Sequence, residues 1–113
     1  MSDDIKIFEQ IIFDRSKEIF EDDFQEILTT FIDDTREKLA EMKTHVERAD
    51  IVALAELAHQ VKATSATFGL LRLSDLARQL EAAAKRNEHL PVMAALLKEM
   101  EELYRIAVSD YLK

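Results

Sequence analysis

Apolar residues return every three or four positions along most of this chain, the spacing of helices that each bury one face. A first stretch, 4–14, carries Ile5, Phe8, Ile11 and Ile12 on one side, and a connection over 15–19 follows it. The second stretch is long, 20–48, with Phe20, Phe24, Ile27, Leu28, Phe31, Leu39, Met42 and Val46 in its stripe. Glu21, Asp22 and Asp23 stand in its first turn, where negative charge suits the helix dipole. Asp50 is placed to cap a third helix over 51–68, which turns Leu54, Leu57, Ala58, Val61 and Phe68 inward. A fourth helix, 72–87, buries Leu73, Leu76, Ala77, Leu80 and Ala84. Pro91 suits the first turn of a fifth, 91–112, with Met93, Leu96, Leu97, Met100, Leu103, Tyr104, Ala107 and Tyr111. Four amphipathic helices with short links predict an all-α, antiparallel, up-and-down four-helix bundle, with the short first helix covering one end or flank.

Composition sharpens this picture. One Gly and one Pro in 113 residues leave little to interrupt helices, and the length suits one domain, expected to span 1–113. There is no Cys, so disulfides and thiolate metal sites are excluded, and the chain suits a reducing cytosol. A net charge of -8 repels nucleic acid and anionic lipid. The acidic start is no signal peptide, and no apolar run reaches membrane-span length. A cytoplasmic protein, monomeric and bound to neither nucleic acid nor membrane, is the expectation.

Candidate chemistry centres on the third helix. At about 100° per residue, His59 falls about 140° from Leu54 and so points away from the core. Ala55, Lys62, Ala66 and Gly69 share its strip, and Ala63 borders it. The strip is unusual for an exposed face because its members, apart from His59 and Lys62, are small, so a second protein surface could approach closely. An exposed imidazole is mostly neutral at pH 7 and keeps a nucleophilic lone pair. A phosphoryl group added there brings about two negative charges, which Lys62, one turn on, is placed to offset. No base or orienting partner for His59 is evident, and no metal ligand set is. Glu56 and His59 read as Glu-x-x-His, but a di-metal bundle needs a second such pair, which is absent, and Glu56 points outward. Periodicity alone does not separate a presented nucleophile from an ordinary surface histidine, and His45 and His89 read as helix-end or surface residues. Ser65 faces inward and is expected to bond back to its own helix. Arg72, Arg78, Lys85 and Arg86 form a basic set on the fourth helix.

The segment Ala58-His59-Gln60-Val61-Lys62-Ala63-Thr64-Ser65-Ala66-Thr67-Phe68-Gly69 resembles the signature of histidine-containing phosphotransfer (HPt) domains. That pattern runs Ala-His, any residue, a hydrophobic residue, Lys-Gly, any residue, Ser or Ala, any two residues, a hydrophobic residue and Gly. Leu73, Leu76, Leu80 and Glu81 are similar to the start of the family's fourth helix, and Thr67-Phe68-Gly69 is similar to the phosphotransfer domains of chemotaxis kinases. The resemblance implies that His59 accepts a phosphoryl group through Nε2, and that Lys62 positions or neutralises it. Ala55, Ala63, Ala66, Gly69 and Lys85 would form the docking surface, with Gly69 admitting the partner's loops and Lys85 adding charge at the rim. It implies response-regulator receiver domains and a sensor or hybrid histidine kinase as partners, no intrinsic cofactor, and Mg²⁺ on the receiver. The chain would be a phosphoryl carrier more than a catalyst. Ala63 departs from the usual Gly and adds one methyl to that surface. From another class, a helical adaptor or inhibitor would use the same strip without phosphoryl transfer.

Overall fold

A computed structural model describes residues 4–112. Five α-helices, Gln10–Phe20 (α1), Phe24–Glu47 (α2), Ile51–Thr67 (α3), Leu71–Lys85 (α4) and Leu90–Asp110 (α5), account for most of it, with a 3₁₀ turn at Glu21–Asp23. No strand occurs among the described residues. Helices α2 to α5 pack in a ring, α2 on α3, α3 on α4, α4 on α5 and α5 back on α2, as short connections between antiparallel neighbours require. Leu28, Met42, Leu54, Leu73, Leu76, Leu80, Met93 and Met100 are the large side chains closed off at its centre. Thr35 joins them, one turn after Phe31 and one before Leu39 on the inward line of α2. Leu57 lies half-buried at the core margin.

The N-terminal helix differs from its expected place. Residues 5–9 are not helical, and the helix occupies 10–20, including the 15–19 stretch expected as a connection. The cause is tertiary. Glu9 N–H donates to Gly69 O at 2.9 Å, and Arg72 Nε donates to Ile5 O at 2.9 Å, so remote residues take the backbone groups a helix would need. The Glu9 carboxylate caps the helix from outside by accepting from Ile11 N. The spacing of Ile5 and Phe8 thus belongs to an arm laid along the bundle, and Phe8 stacks on Tyr111 with ring centroids 4.8 Å apart. The long second helix is also broken near its start, since Glu21 adopts φ 51° and separates α1 from α2.

Three helices end alike. Ala49, Gly69 and Asn87 each take positive φ after α2, α3 and α4. In each case the next residue's N–H reaches back to a carbonyl of the last helical turn: Asp50 to His45, Leu70 to Ser65 and Glu88 to Ala83. Asp50 Oδ1 then caps α3 by accepting from Ala53 N. Ser65 departs from expectation. Its hydroxyl is buried and finds no hydrogen-bond partner among the described residues, so it does not bond back to α3.

Gly69 is where the arm meets the bundle. Its φ is +80°, and a Cβ there would lie 2.6 Å from Glu9 O. Gly69→Ala therefore suffers both an unfavourable left-handed backbone and a collision with backbone that is itself hydrogen-bonded to this residue. It is expected to lose about 2 kcal/mol or more of stability in urea denaturation. A loss below about 0.5 kcal/mol, the scatter of ordinary surface changes, would contradict this account.

Candidate functional site

The α3–α4 pairing builds the site. Ala58 on α3 and Ala77 and Ala84 on α4 are buried, and small side chains let two helices approach. Ser74 Oγ of α4 donates to Lys62 O at 2.8 Å, fixing the height of one helix against the other. His59 leaves α3 on its outer side with a side chain 61% exposed, as the helical wheel requires.

The partner that sequence reasoning missed is Glu81. It lies on the inward side of α4, between Ala77 and Ala84, and its side chain is only 10% exposed. Its Oε2 is 2.9 Å from His59 Nδ1 and 3.0 Å from Lys85 Nζ, while Oε1 accepts from Lys62 Nζ at 2.9 Å. A carboxylate brought this far inside needs such company, because burial alone would push it toward its neutral form. The hydrogen bond from Lys62 is the strongest influence on it. Burial opposes that bond, and Lys85 and His59 add to it, so the carboxyl is held at about 2. A signal was present in the sequence: a Glu on an otherwise apolar stripe must find a cation.

The charge state of Glu81 decides the chemistry of His59. An ionised carboxylate only accepts hydrogen bonds, so the contact is Nδ1–H donating to Oε2. In a neutral imidazole the other nitrogen, Nε2, then holds the lone pair. Nδ1 faces the nearly buried carboxylate, so the solvent-facing edge of the ring is the one that carries Nε2. His59 therefore does have an orienting partner, contrary to the expectation that none was present. The set is an oriented imidazole beside two ammonium groups. Among the described residues, no group of three or more His, Cys, Asp or Glu side chains could hold a metal ion.

The predicted strip divides. Ala63 and Ala66 are exposed, and Ala55 is half-buried beside His59 in an open groove between α3 and α4 that Lys85 also lines. Two turns before His59, Val52 is 73% exposed, so the strip is not small throughout. Gly69 does not belong to it. It is buried under the N-terminal arm, and its missing Cβ serves contact with Glu9 rather than access for a partner. Of the basic set on α4, Arg72 reaches Ile5 O, Arg78 pairs with Asp75 and Arg86 with Glu88, while Lys85 turns to the site. His45 lies 3.9 Å from Asp50 at the α2–α3 turn, and His89 is exposed ahead of α5. Neither adjoins His59.

The depressed Glu81 pKa carries a sign. Its value in the fold lies below the ordinary 4.5, so the carboxylate stabilises the fold fully above that value and ceases to do so as pH falls through about 2. Urea denaturation of the wild type and of Glu81→Gln is expected to show the variant less stable at neutral pH, with the gap closing across that acidic window. A gap that stays constant or widens on acidification would contradict the assignment.

Comparison with known proteins identifies the bundle. The Hpt domain family model matches residues 26–109, most of the chain. Among solved structures, the chain is similar to the histidine-containing phosphotransfer protein B (HptB) from Pseudomonas aeruginosa PAO1. The identity is 29% and the TM-score 0.84, over 88% of this chain and 86% of that one. No curated protein matches it. No helix among the described residues is long and apolar enough to cross a membrane. With the family model covering this much of the bundle, the chain belongs to the Hpt domain family, and its role is histidine phosphotransfer in a phosphorelay whose partners are of the two-component kind, kinases and receiver domains.

Proposed function

We propose that His59 is the phosphoacceptor, that Nε2 is the atom that carries the phosphoryl group, and that Lys62 balances its charge. What carries the reading is the 2.9 Å contact between Nδ1 and the ionised Glu81, which leaves Nε2 with its lone pair on an exposed edge. In the transfer, Nε2 attacks the phosphorus of an aspartyl phosphate on a receiver domain. The phosphorus–oxygen bond breaks, the aspartate leaves as a carboxylate, and a phosphorus–nitrogen bond forms. The Nδ1 proton stays in place, and the positive charge that develops on the ring faces Glu81. Return of the group to another receiver reverses these changes, with the imidazole leaving in neutral form. A histidine kinase could load the same nitrogen.

The protein is then a carrier. The receiver would supply the aspartate and a Mg²⁺ for charge neutralisation, and this chain supplies a fixed nucleophile and a clear approach. Ala63 and Ala66, exposed beyond His59, and Ala55 beside it form that approach, with Lys85 at the rim. We further propose that a bundle of this size works as a monomer, in the reducing cytoplasm that its cysteine-free sequence suits.

Incubation with a phosphorylated receiver domain is expected to give an acid-labile, base-stable label on the wild type and none on His59→Gln. Lys62→Ala should still become labelled, about tenfold more slowly, the effect of roughly 1.4 kcal/mol of lost charge stabilisation. Labelling of His59→Gln at the wild-type level would overturn the assignment, and full binding of a receiver with no label on the wild type would favour a docking adaptor instead.

A further inference from the structure

Lys62 and Lys85 touch the same carboxylate but differ in how they are held. Lys62 sits on Oε1 with a side chain 32% exposed, whereas Lys85 sits on Oε2 with a side chain 67% exposed. Oε2 is also the atom that accepts from His59 Nδ1, so the Lys85 ammonium and the imidazole are neighbours across one oxygen. One lysine would neutralise Glu81, and the second leaves the cluster with a net positive charge on a protein whose total is -8. Lys62 approaches the ring from the next turn of α3. Lys85 approaches from α4, across the groove that His59 and Ala55 also line.

Resting on the assignment of His59 as phosphoacceptor, we infer that Lys85 is a mobile second cation, which sits on Glu81 while His59 is free and turns to the phosphoryl oxygens when Nε2 is loaded. The exchange leaves nothing unpaired. Lys62 keeps Oε1, and the Nδ1–H of the phosphorylated ring, now more positive, keeps Oε2. Lys85 is the more solvated of the two lysines and Glu81 keeps Lys62 and His59 when it leaves, so a phosphoryl group with about two negative charges and three acceptor oxygens competes for it well.

Phosphoramidate, a small phosphoryl donor that needs no docking surface, tests this on the full chain. Loading of Lys85→Gln should be slower than wild type by about two- to fivefold, the scale of one half-exposed charge, and Lys85→Arg should restore it. Loss of a cation in contact with the phosphoryl group should also raise the pH midpoint of its ³¹P titration in Lys85→Gln. The slowing should persist when both proteins carry Glu81→Gln, because the contact made is with phosphorus oxygens and not only with Glu81. Wild-type loading together with an unmoved ³¹P midpoint would overturn the inference, as would an effect that vanishes in the Glu81→Gln background. Should Glu81→Gln not fold, the ³¹P titration of Lys85→Gln decides alone, since Lys85 is exposed and its replacement disturbs no core. His59→Gln separates the two levels: if it takes up label, the phosphoacceptor assignment fails, and if it does not, a negative result belongs to Lys85.

Discussion

One nearly buried carboxylate organises the reactive face of this molecule. Glu81 draws His59 and Lys62 from α3 and Lys85 from its own helix onto two oxygen atoms. Without it the imidazole would be an exposed ring free to choose its rotamer and tautomer. With it, Nδ1 is committed as a donor and Nε2 is left with the lone pair of the neutral ring. Burial of a charge is costly when unpaired, so a position that must be ionised also forces its cations into place.

The bundle serves this carboxylate. Small buried residues bring α3 and α4 together, and the Ser74–Lys62 bond sets their relative height, so that Glu81 meets His59 and Lys62 across the helix boundary. The N-terminal arm closes the far end of α3. Its bond from Glu9 to Gly69 requires a residue without a side chain at the turn that ends α3. The glycine of the motif is therefore explained in this chain by packing, while the alanines nearer His59 keep the surface low.

Much of this was legible in the order of residues, and the exceptions share a cause. The four long stripes, Leu54 through Val61 on α3 among them, report burial directly because helical period and core face coincide. The outward direction of His59 follows from the same period. The place of α1 does not, because the groups that unwind residues 5–9 come from Gly69 and Arg72, far along the chain. The placing of Gly69 on the docking strip fails for a related reason: the wheel gives its direction but not the arm that covers it. Glu81 stood on an inward stripe in plain view. Its meaning needed the knowledge that α3 and α4 are adjacent at the height of His59, which only the packed bundle provides. The unpartnered hydroxyl of Ser65 has no account in the sequence or in its surroundings.

The proton through which Glu81 fixes the His59 ring can be located. Nitrogen-15 NMR of the histidine-labelled protein, at a pH where the ring is neutral, should show His59 with its proton on Nδ1 and Nε2 bare, and Glu81→Gln should shift that balance toward a mixture. A His59 that carries its proton on Nε2 in the wild type, or whose tautomer is unchanged in Glu81→Gln, would contradict the account.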